Sequence, residues 1–509
     1  MIRGDTAQAI RDAEAPLLRA GEPLMRRAAR ALADHVAQRL RQAGAAAPAP
    51  GARVLVLAGP GSNGGDGLHA AAMLRGEGIA ADAIATAERL HEEGAAALRE
   101  AGGTVHRLTE LEPEQLSRLL GDAELVLDAI LGIGGRPQVP ADLHPLLAAV
   151  RASAAAVIAV DLPSFIDATT GEAAPEALAA EATVSFGAHC AGLLLPGGAE
   201  RAGRLHLVDL GTGPNLPAQP AVLRLEDADV RDRFPHPGRD ATKYSRGVVA
   251  LAAGSEQYPG AAVLAVSGAA RAGAGMVRCL APQSVLDLVL RARPEVLGHP
   301  FPPAGEAPAA DLLAALGRTD ALVVGPGLPG EDPRVRAGAE LLRAGGEGLQ
   351  RGVIDAGGLT ALAAGHRFGP DVVLTPHRGE AERLADRLDL DPGLPGPQLA
   401  RALAAATGAT VLLKGAVTLI APGDGGPLRA QDDATAQLAT AGTGDVLAGV
   451  LGTLLAAGLP GPDAAALAAI LHGRAGRLAS RGGLVPLVAL DVAGHLPDAL
   501  GTILAGAPL

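Results

Sequence analysis

Tryptophan is absent from this chain of 509 residues, and aromatic residues make up only 1% of it. Recognition by aromatic stacking is therefore nearly out of reach, and the core has to be built from Ala, Val and Leu. Two cysteines, Cys190 and Cys279, lie far apart without CxxC or Cys/His spacing, which gives neither a disulfide framework nor a zinc pattern. Basic runs are missing as well: the net charge is −12, and Arg far outnumbers Lys. A nucleic-acid surface concentrates Lys and Arg at phosphates, so no nucleic-acid partner is expected. Apolar stretches are broken by Gly, Pro or charge before the roughly 18 residues that a membrane span needs. The first residues carry acids and lack the apolar core of a secretory signal. No membrane association and a cytoplasmic location are the expectation.

Apolar residues are plentiful at 48%, and the length calls for two or more domains with separate cores. Short β-branched runs alternate with Ala/Leu/Arg helical patterns, the signature of α/β folds with parallel sheets. In the first half the pattern predicts strands over 53–57, 124–128, 157–161, 183–186 and 205–209, one long helical segment over 6–40, and a loop over 44–51. The second half restarts with strands over 247–253, 276–280, 321–325, 352–355, 372–375 and 410–414, and helices over 261–272 and 444–457. A Gly/Pro-rich stretch at 211–220 marks a boundary between domains 1–220 and 221–509, with the second domain starting at Ala221 or after Phe234-Pro235-His236-Pro237. The Ala-rich helices suit packing between subunits as well as within them, and a homo-oligomer is expected.

In the first half, the segment GPGSNGGDG (59–67) follows a strand and precedes a helix. Glycines there permit close approach of a ligand, and the helix start can hold an anion. The segment is not GxGxxG, so the ordinary dinucleotide fingerprint does not apply. Asp128 and Asp161 end two other strands, and Ser164 lies just beyond the second. Strand-end Asp and Ser commonly serve turns and caps. Three such oxygen-bearing groups beside one Gly-rich loop point instead to a shared site, and hard oxygen ligands suit an alkali or alkaline-earth cation.

In the second half, Gly442-Thr443-Gly444-Asp445 opens a helix. Amides at a helix N-terminus attract anions, and a carboxylate in that first turn can take a proton from a hydroxyl held beside the anion. Read by itself, GTGD serves equally as a plain helix start. Four other bends fall at strand ends: Gly325-Pro326-Gly327-Leu328, Asp355-Ala356-Gly357-Gly358-Leu359, Thr375-Pro376-His377-Arg378-Gly379-Glu380 and Lys414-Gly415-Ala416-Val417-Thr418. All can face one crevice with Asp445, where open parallel sheets place their ligands.

GPGSNGGDGLHAA, VLDAILGIG and VDLPS, in that order, resemble the NAD(P)H-hydrate epimerase family, and RDAEAPLLRAGEPLMRRAA resembles its helical arm. From about Lys243 to Asp491 the chain resembles, segment by segment, the ADP/ATP-dependent NAD(P)H-hydrate dehydratase family, whose fold is ribokinase-like. The two resemblances imply an α/β protein with an N-terminal Rossmann-like three-layer sandwich and a C-terminal ribokinase-like domain. They also imply a two-part repair. Reduced nicotinamide rings pick up water at C6; the first domain would interconvert the R and S hydrates, and the second would dehydrate the S form with a nucleotide. An ordinary ribokinase-like kinase of a small alcohol, and a dehydratase with a non-catalytic N-terminal binding domain, are the competing readings.

By resemblance, Ser62, Asn63, Gly64, Gly65 and Asp66 would touch the hydrate, together with Gly132, Ile133, Gly134, Gly135, Arg136, Pro137 and Gln138. Asp161 would be the acid/base residue, and Asn63, Asp128 and Ser164 would bind potassium. In the second domain Lys414, Gly415, Ala416, Val417 and Thr418, with Gly442, Thr443 and Gly444, would hold the nucleotide, ADP in preference to ATP, with magnesium at its phosphates. Ala261, Gly325, Gly327, His377 and Asp445 would hold the hydrate, and Asp445 would be the base. The chain departs from the family pattern at five positions. Ser62 stands for Asn, Phe165 for Gly, His189 for Lys, Gly357 for Asp and Arg378 for Pro.

Overall fold

The computed structural model describes residues 1–41, 51–301, 316–343 and 349–506. Two compact units divide at Val222 and Leu223: Ile2–Val222, and Leu223–Leu509.

The first unit is built on seven parallel strands. Their spatial order is Val105–Arg107, Ala80–Ala85, Arg53–Ala58, Leu125–Ala129, Ala156–Val160, Ala182–Phe186 and Arg204–Val208. Alternate residues of each strand face opposite sides. Val54, Val56 and Leu127 therefore pack beneath helices Leu24–Leu40 and Ser62–Gly76, while Leu55, Leu57 and Val126 pack against Pro113–Asp122 and His144–Ala152. Three layers result. The sequence order reverses between Arg53–Ala58 and Leu125–Ala129, so the loops leaving these strands diverge and open a crevice.

The single long helix expected over 6–40 is two helices, Ala7–Arg19 and Leu24–Leu40. Gly21 at φ +78° and Pro23 interrupt the helical pattern between them. The loop expected over 44–51 lies almost wholly outside the described residues. Strand Ala80–Ala85 has no signal in the sequence, since AADAIA carries no β-branched run.

In the second unit nine strands follow the order Leu297–Pro300, Met276–Ala281, Val248–Ala252, Ala321–Val324, Gly352–Ile354, Val372–Leu374, Thr410–Leu413, Thr418–Ala421 and Leu428–Gln431. The first seven pair in parallel and the last two antiparallel. The largely parallel sheet is the α/β architecture that the sequence implies for this domain. Its order reverses between Val248–Ala252 and Ala321–Val324, where the Gly254 N–H donates to the Pro326 carbonyl at 2.8 Å.

Helices Pro259–Arg271 and Thr443–Ala456 cross with their backbones almost touching. A Cβ on Gly449 would lie 2.0 Å from the Ala265 carbonyl oxygen, and one on Gly268 2.3 Å from that of Val446. Small residues at these turns set where the GTGD end of the second helix stands relative to the sheet.

Candidate active sites

The crevice of the first unit is a cleft of about 470 Å³. Ser62, Asn63 and Asp66 line it from the first turn and a half of helix Ser62–Gly76, so the expected ligand loop is already helical there. Gly132, Ile133, Gly134, Gly135 and Asp161 line the facing side. Gly64 and Gly65 are buried in the helix behind, where a Cβ on Gly64 would strike the Gly59 carbonyl at 2.1 Å. Arg136, Pro137 and Gln138 continue the facing loop beyond the lining residues.

Asp161 caps the strand end at φ +68°, an uncommon conformation for a residue with a Cβ. Its N–H is tied to the Val184 carbonyl at 2.8 Å, and its own carbonyl accepts from Ser185 Oγ at 2.9 Å. Burial, and then the nearby Glu14 carboxylate, push the Asp161 carboxyl up to about 7. Asp66 is raised well above the usual carboxylate range by burial, Asp161 and Glu14. Its Oδ1 is buried without a hydrogen-bond partner. Glu14, on helix Ala7–Arg19, lines the same cleft and was not foreseen; it lies in the arm segment, and no local motif marks it.

Behind the cleft Asp128 is fully buried. It accepts from Ser164 N at 2.8 Å, Ser164 Oγ at 2.5 Å and Ile130 N at 3.5 Å, all neutral donors. Burial raises its carboxyl despite these bonds. Asn63 Nδ2 is buried without a hydrogen-bond partner. Phe165, where the family has glycine, adopts φ +66° with its ring buried.

In the second unit, the Gly-led turn closes at Gly442 (φ +88°), and helix Thr443–Ala456 begins at once. Thr443 Oγ1 donates to the carbonyls of Leu438 and Thr440 at 2.9 and 3.0 Å, which folds the turn back on itself. The Thr443 carbonyl in turn accepts from the buried His472 Nε2 at 2.9 Å. Burial lowers His472 to about 4, so the ring is neutral and Nε2 carries the proton. Asp445 occupies the first turn. Burial, then the Asp355 charge, lift its carboxyl to about 7 against the opposing effect of Lys414.

Lys414 is one of only two lysines in the chain. Its Nζ lies 3.0 Å from Asp355 Oδ1 and 3.8 Å from Glu380 Oε2, and a methyl group added to Gly444 would lie 3.5 Å from it. Burial pulls its pKa down, but Asp355 and Glu380 outweigh that and hold it above the usual value. The ammonium therefore stands charged beside the amides of the GTGD turn. Gly415 and Ala416 are exposed, while Val417 is buried and Thr418 opens strand Thr418–Ala421.

His377 is the N-cap of helix Arg378–Arg387. Its Nδ1 accepts from the N–H groups of Gly379 and Glu380 at 3.1 and 3.3 Å, leaving Nε2 as its donor edge. Ala261 lies against Gly327: a Cβ there would be 2.4 Å from the Ala261 methyl. Gly325 packs on Asp355, where a Cβ would be 1.8 Å from the carbonyl oxygen. One turn beyond Ala261, Leu264 closes on Gly442, joining the two ends of the crevice. The sequence assigns no role to Asp355, Thr375, Glu380 or His472. Asp355 and Glu380 do fall in recognised bends, but their partner Lys414 comes from a distant segment.

Two departures have structural reasons. Gly357 has no room for a side chain, since a Cβ would meet the Leu328 carbonyl at 1.9 Å. Arg378 takes the first helical position, which also suits proline, and ties the helix to the carbonyls of Leu394 and Pro392.

Together these features define a two-domain α/β enzyme: three carboxyls gathered in one cleft, and in the other a helix start with an aspartate in its first turn and an ammonium beside it. A family model described as NAD(P)H-hydrate dehydratase matches residues 249–496, and one described as YjeF-related protein N-terminus matches residues 21–192. The chain is 42% identical to the bifunctional NAD(P)H-hydrate repair enzyme Nnr of Mycobacterium tuberculosis over 468 residues, 90% of each chain. It is 40% identical to that of Mycobacterium leprae, covering 97% of this chain and 98% of the relative. A crystal structure of the ADP/ATP-dependent NAD(P)H-hydrate dehydratase of Bacillus subtilis with ATP and Mg2+ is 29% identical, covers 55% of this chain and 97% of its own, and has a TM-score of 0.48. The chain belongs to the bifunctional NAD(P)H-hydrate repair enzyme family.

Proposed function

We propose that this chain repairs hydrated NADH and NADPH: the first domain interconverts the R and S hydrates, and the second returns the S form to the reduced coenzyme at the expense of ADP. The observation that carries the reading is Asp445. It is a base titrating near neutrality at the head of a helix, with the charged Lys414 beside the adjacent amides.

In the dehydration, Asp445 takes the proton of the C6 hydroxyl, and that oxygen attacks the terminal phosphorus of the nucleotide, releasing AMP from ADP. The amides of Gly442, Thr443 and Gly444 and the Lys414 ammonium stabilise the charge on the transferring group. The ring nitrogen then expels phosphate from C6, and loss of a C5 proton restores the ring double bond. Ala261, Gly325, Gly327 and His377 form the hydrate's side of the crevice, and Lys414–Thr418 the nucleotide's. ADP is our preferred nucleotide over ATP. Magnesium would be carried on the nucleotide's phosphates, its charge offsetting theirs.

Potassium fits the first domain. Asp128 is a buried carboxylate bonded to neutral donors, and Asn63 has an unsatisfied amide that, turned over, presents Oδ1. Asp128, Ser164 and Asn63 would hold the ion, offsetting the buried charge next to the cleft. Asp161 is the acid/base residue of that cleft.

Among the described residues no helix is long and apolar enough to cross a membrane. We place the enzyme in the cytoplasm, where reduced coenzyme and ADP coexist. We also assign it a homo-oligomer, in which a second copy covers the exposed Leu484, Val488 and Leu490. Light scattering in solution tests that assignment, and a monomer at high concentration would refute it.

The test of the function is incubation of purified S hydrate with ADP, followed by the near-ultraviolet absorbance of the reduced ring. Recovery is expected; none would sink the dehydratase. Supplying R hydrate instead tests the first domain. Recovery no faster than spontaneous epimerisation would make that domain a binding module.

A further inference from the structure

We propose that Glu14 is the second proton-transfer group of the first-domain cleft, working with Asp161 as an acid–base pair on the hydrate's C6 hydroxyl and ring nitrogen. The proposal rests on the epimerase reading and adds a residue to it.

Glu14 is brought to the cleft by helix Ala7–Arg19, whose Ala7 and Ile10 are buried in the core. One turn after Ile10, Glu14 is half-buried and lines the wall of the same cavity as Asp161 and Asp66. Asp161 stands at the end of strand Ala156–Val160, and Asp66 comes from helix Ser62–Gly76 with a buried, unpartnered Oδ1. The titratable and charged neighbours from each element are Arg11 on Glu14's own helix, Asp66, Asp161, and the buried, neutral thiol of Cys190. Arg11 is partly spent: its Nη2 donates to the Ile133 carbonyl at 2.9 Å. Three carboxyls thus crowd one cleft with a single guanidinium near them. Like charges so close disfavour ionising all three at once, which favours a proton shared among the members. Consistently, Glu14 and Asp161 are both raised, mainly by burial.

A shared proton is what the reaction requires. C6 of the hydrate carries a hydroxyl and is bonded to the ring nitrogen, so it is a masked aldehyde. The ionised carboxylate takes the hydroxyl proton, the C6–O electrons form a carbonyl, and the C6–N bond breaks. The nitrogen keeps that electron pair and takes the proton of the second carboxyl. Rotation about the C5–C6 bond turns the other face of the aldehyde to the nitrogen. The nitrogen attacks, loses its proton to one carboxylate, and the new C6 oxygen recovers a proton from the other. Nothing is oxidised or reduced, and the pair ends with the proton it began with.

The test uses the full chain with Glu14→Gln, which keeps the size of the side chain. With R hydrate and ADP, recovery of the reduced ring should slow by about 100-fold in kcat, the scale of a lost acid–base group, while KM for the R hydrate stays within about twofold. Recovery from S hydrate should be unchanged. Removing the Glu14 charge should also move the acidic limb of epimerisation to lower pH, a shift that loss of packing would not produce. Glu14→Asp, which keeps a carboxyl, should regain part of the rate. Wild-type kcat and pH profile in Glu14→Gln, or kcat and KM lost together in both variants, would overturn the proposal. No epimerisation by the wild-type chain would instead remove the epimerase reading beneath it.

Discussion

Lys414 Nζ lies 3.0 Å from Asp355 Oδ1, and the same oxygen accepts from Thr375 Oγ1 at 2.8 Å. Three strand ends are thereby clamped together beside the GTGD turn. The clamp holds a partly buried positive charge beside that turn, and its carboxylate disfavours the ionised form of Asp445.

The dehydration rate should follow the ionisation of Asp445. Its carboxyl titrates at about 7, so activity should fall as pH drops below that value and level off above it. Asp355→Asn removes a like charge and leaves Lys414 to favour the carboxylate, so the acidic limb should move to lower pH. A limb that stays in place would show that Asp355 does not act on the base. The measurement is a pH–rate profile with S hydrate.

Asp445→Asn should abolish dehydration, by roughly 100-fold or more, and leave epimerisation intact. Exchange between R and S hydrates, followed chromatographically without nucleotide, separates the two activities. Loss of both would mean that the variant disturbs more than the base.

His472→Leu should loosen the turn by removing the donor to the Thr443 carbonyl, at a cost of about 0.5–1.5 kcal/mol for the lost hydrogen bond. KM for ADP should rise and kcat fall, whereas KM for the S hydrate should change little. Because the imidazole is already neutral well above its value of about 4, the pH profile should keep its shape. A changed profile would contradict a purely positioning role.

Phe165→Gly would restore the usual residue of the family and relieve a positive φ worth about 1–2 kcal/mol. It would also empty a buried aromatic site, which costs about 3–5 kcal/mol. Burial should win, so thermal unfolding of the first domain should occur at lower temperature. A stabilised variant would show that backbone strain dominates here.

Much of both sites was legible because the chemistry is local. GTGD, KGAVT and GPGSNGGDG each place glycines, a polar group and a helix start within a few residues, and all flank the crevices. The partners were not legible. Glu14 reaches Asp161 across 147 positions of sequence (161 minus 14), and His472 sits in the middle of helix Gly461–Ala479 with nothing nearby to mark it. Strand Ala80–Ala85 was missed for a related reason. Its alanines are held extended by the flanking strands and not by their own preference.

The sequence by itself determined the α/β alternation, the motif-bearing bends and the identity of the groups that can act as bases, because periodicity and turn chemistry act over a few residues. Only the tertiary structure decided the state of those groups. Asp445 and Asp161 are ordinary aspartates in the chain. They become groups poised near neutrality because folding takes them out of water and sets other carboxylates beside them.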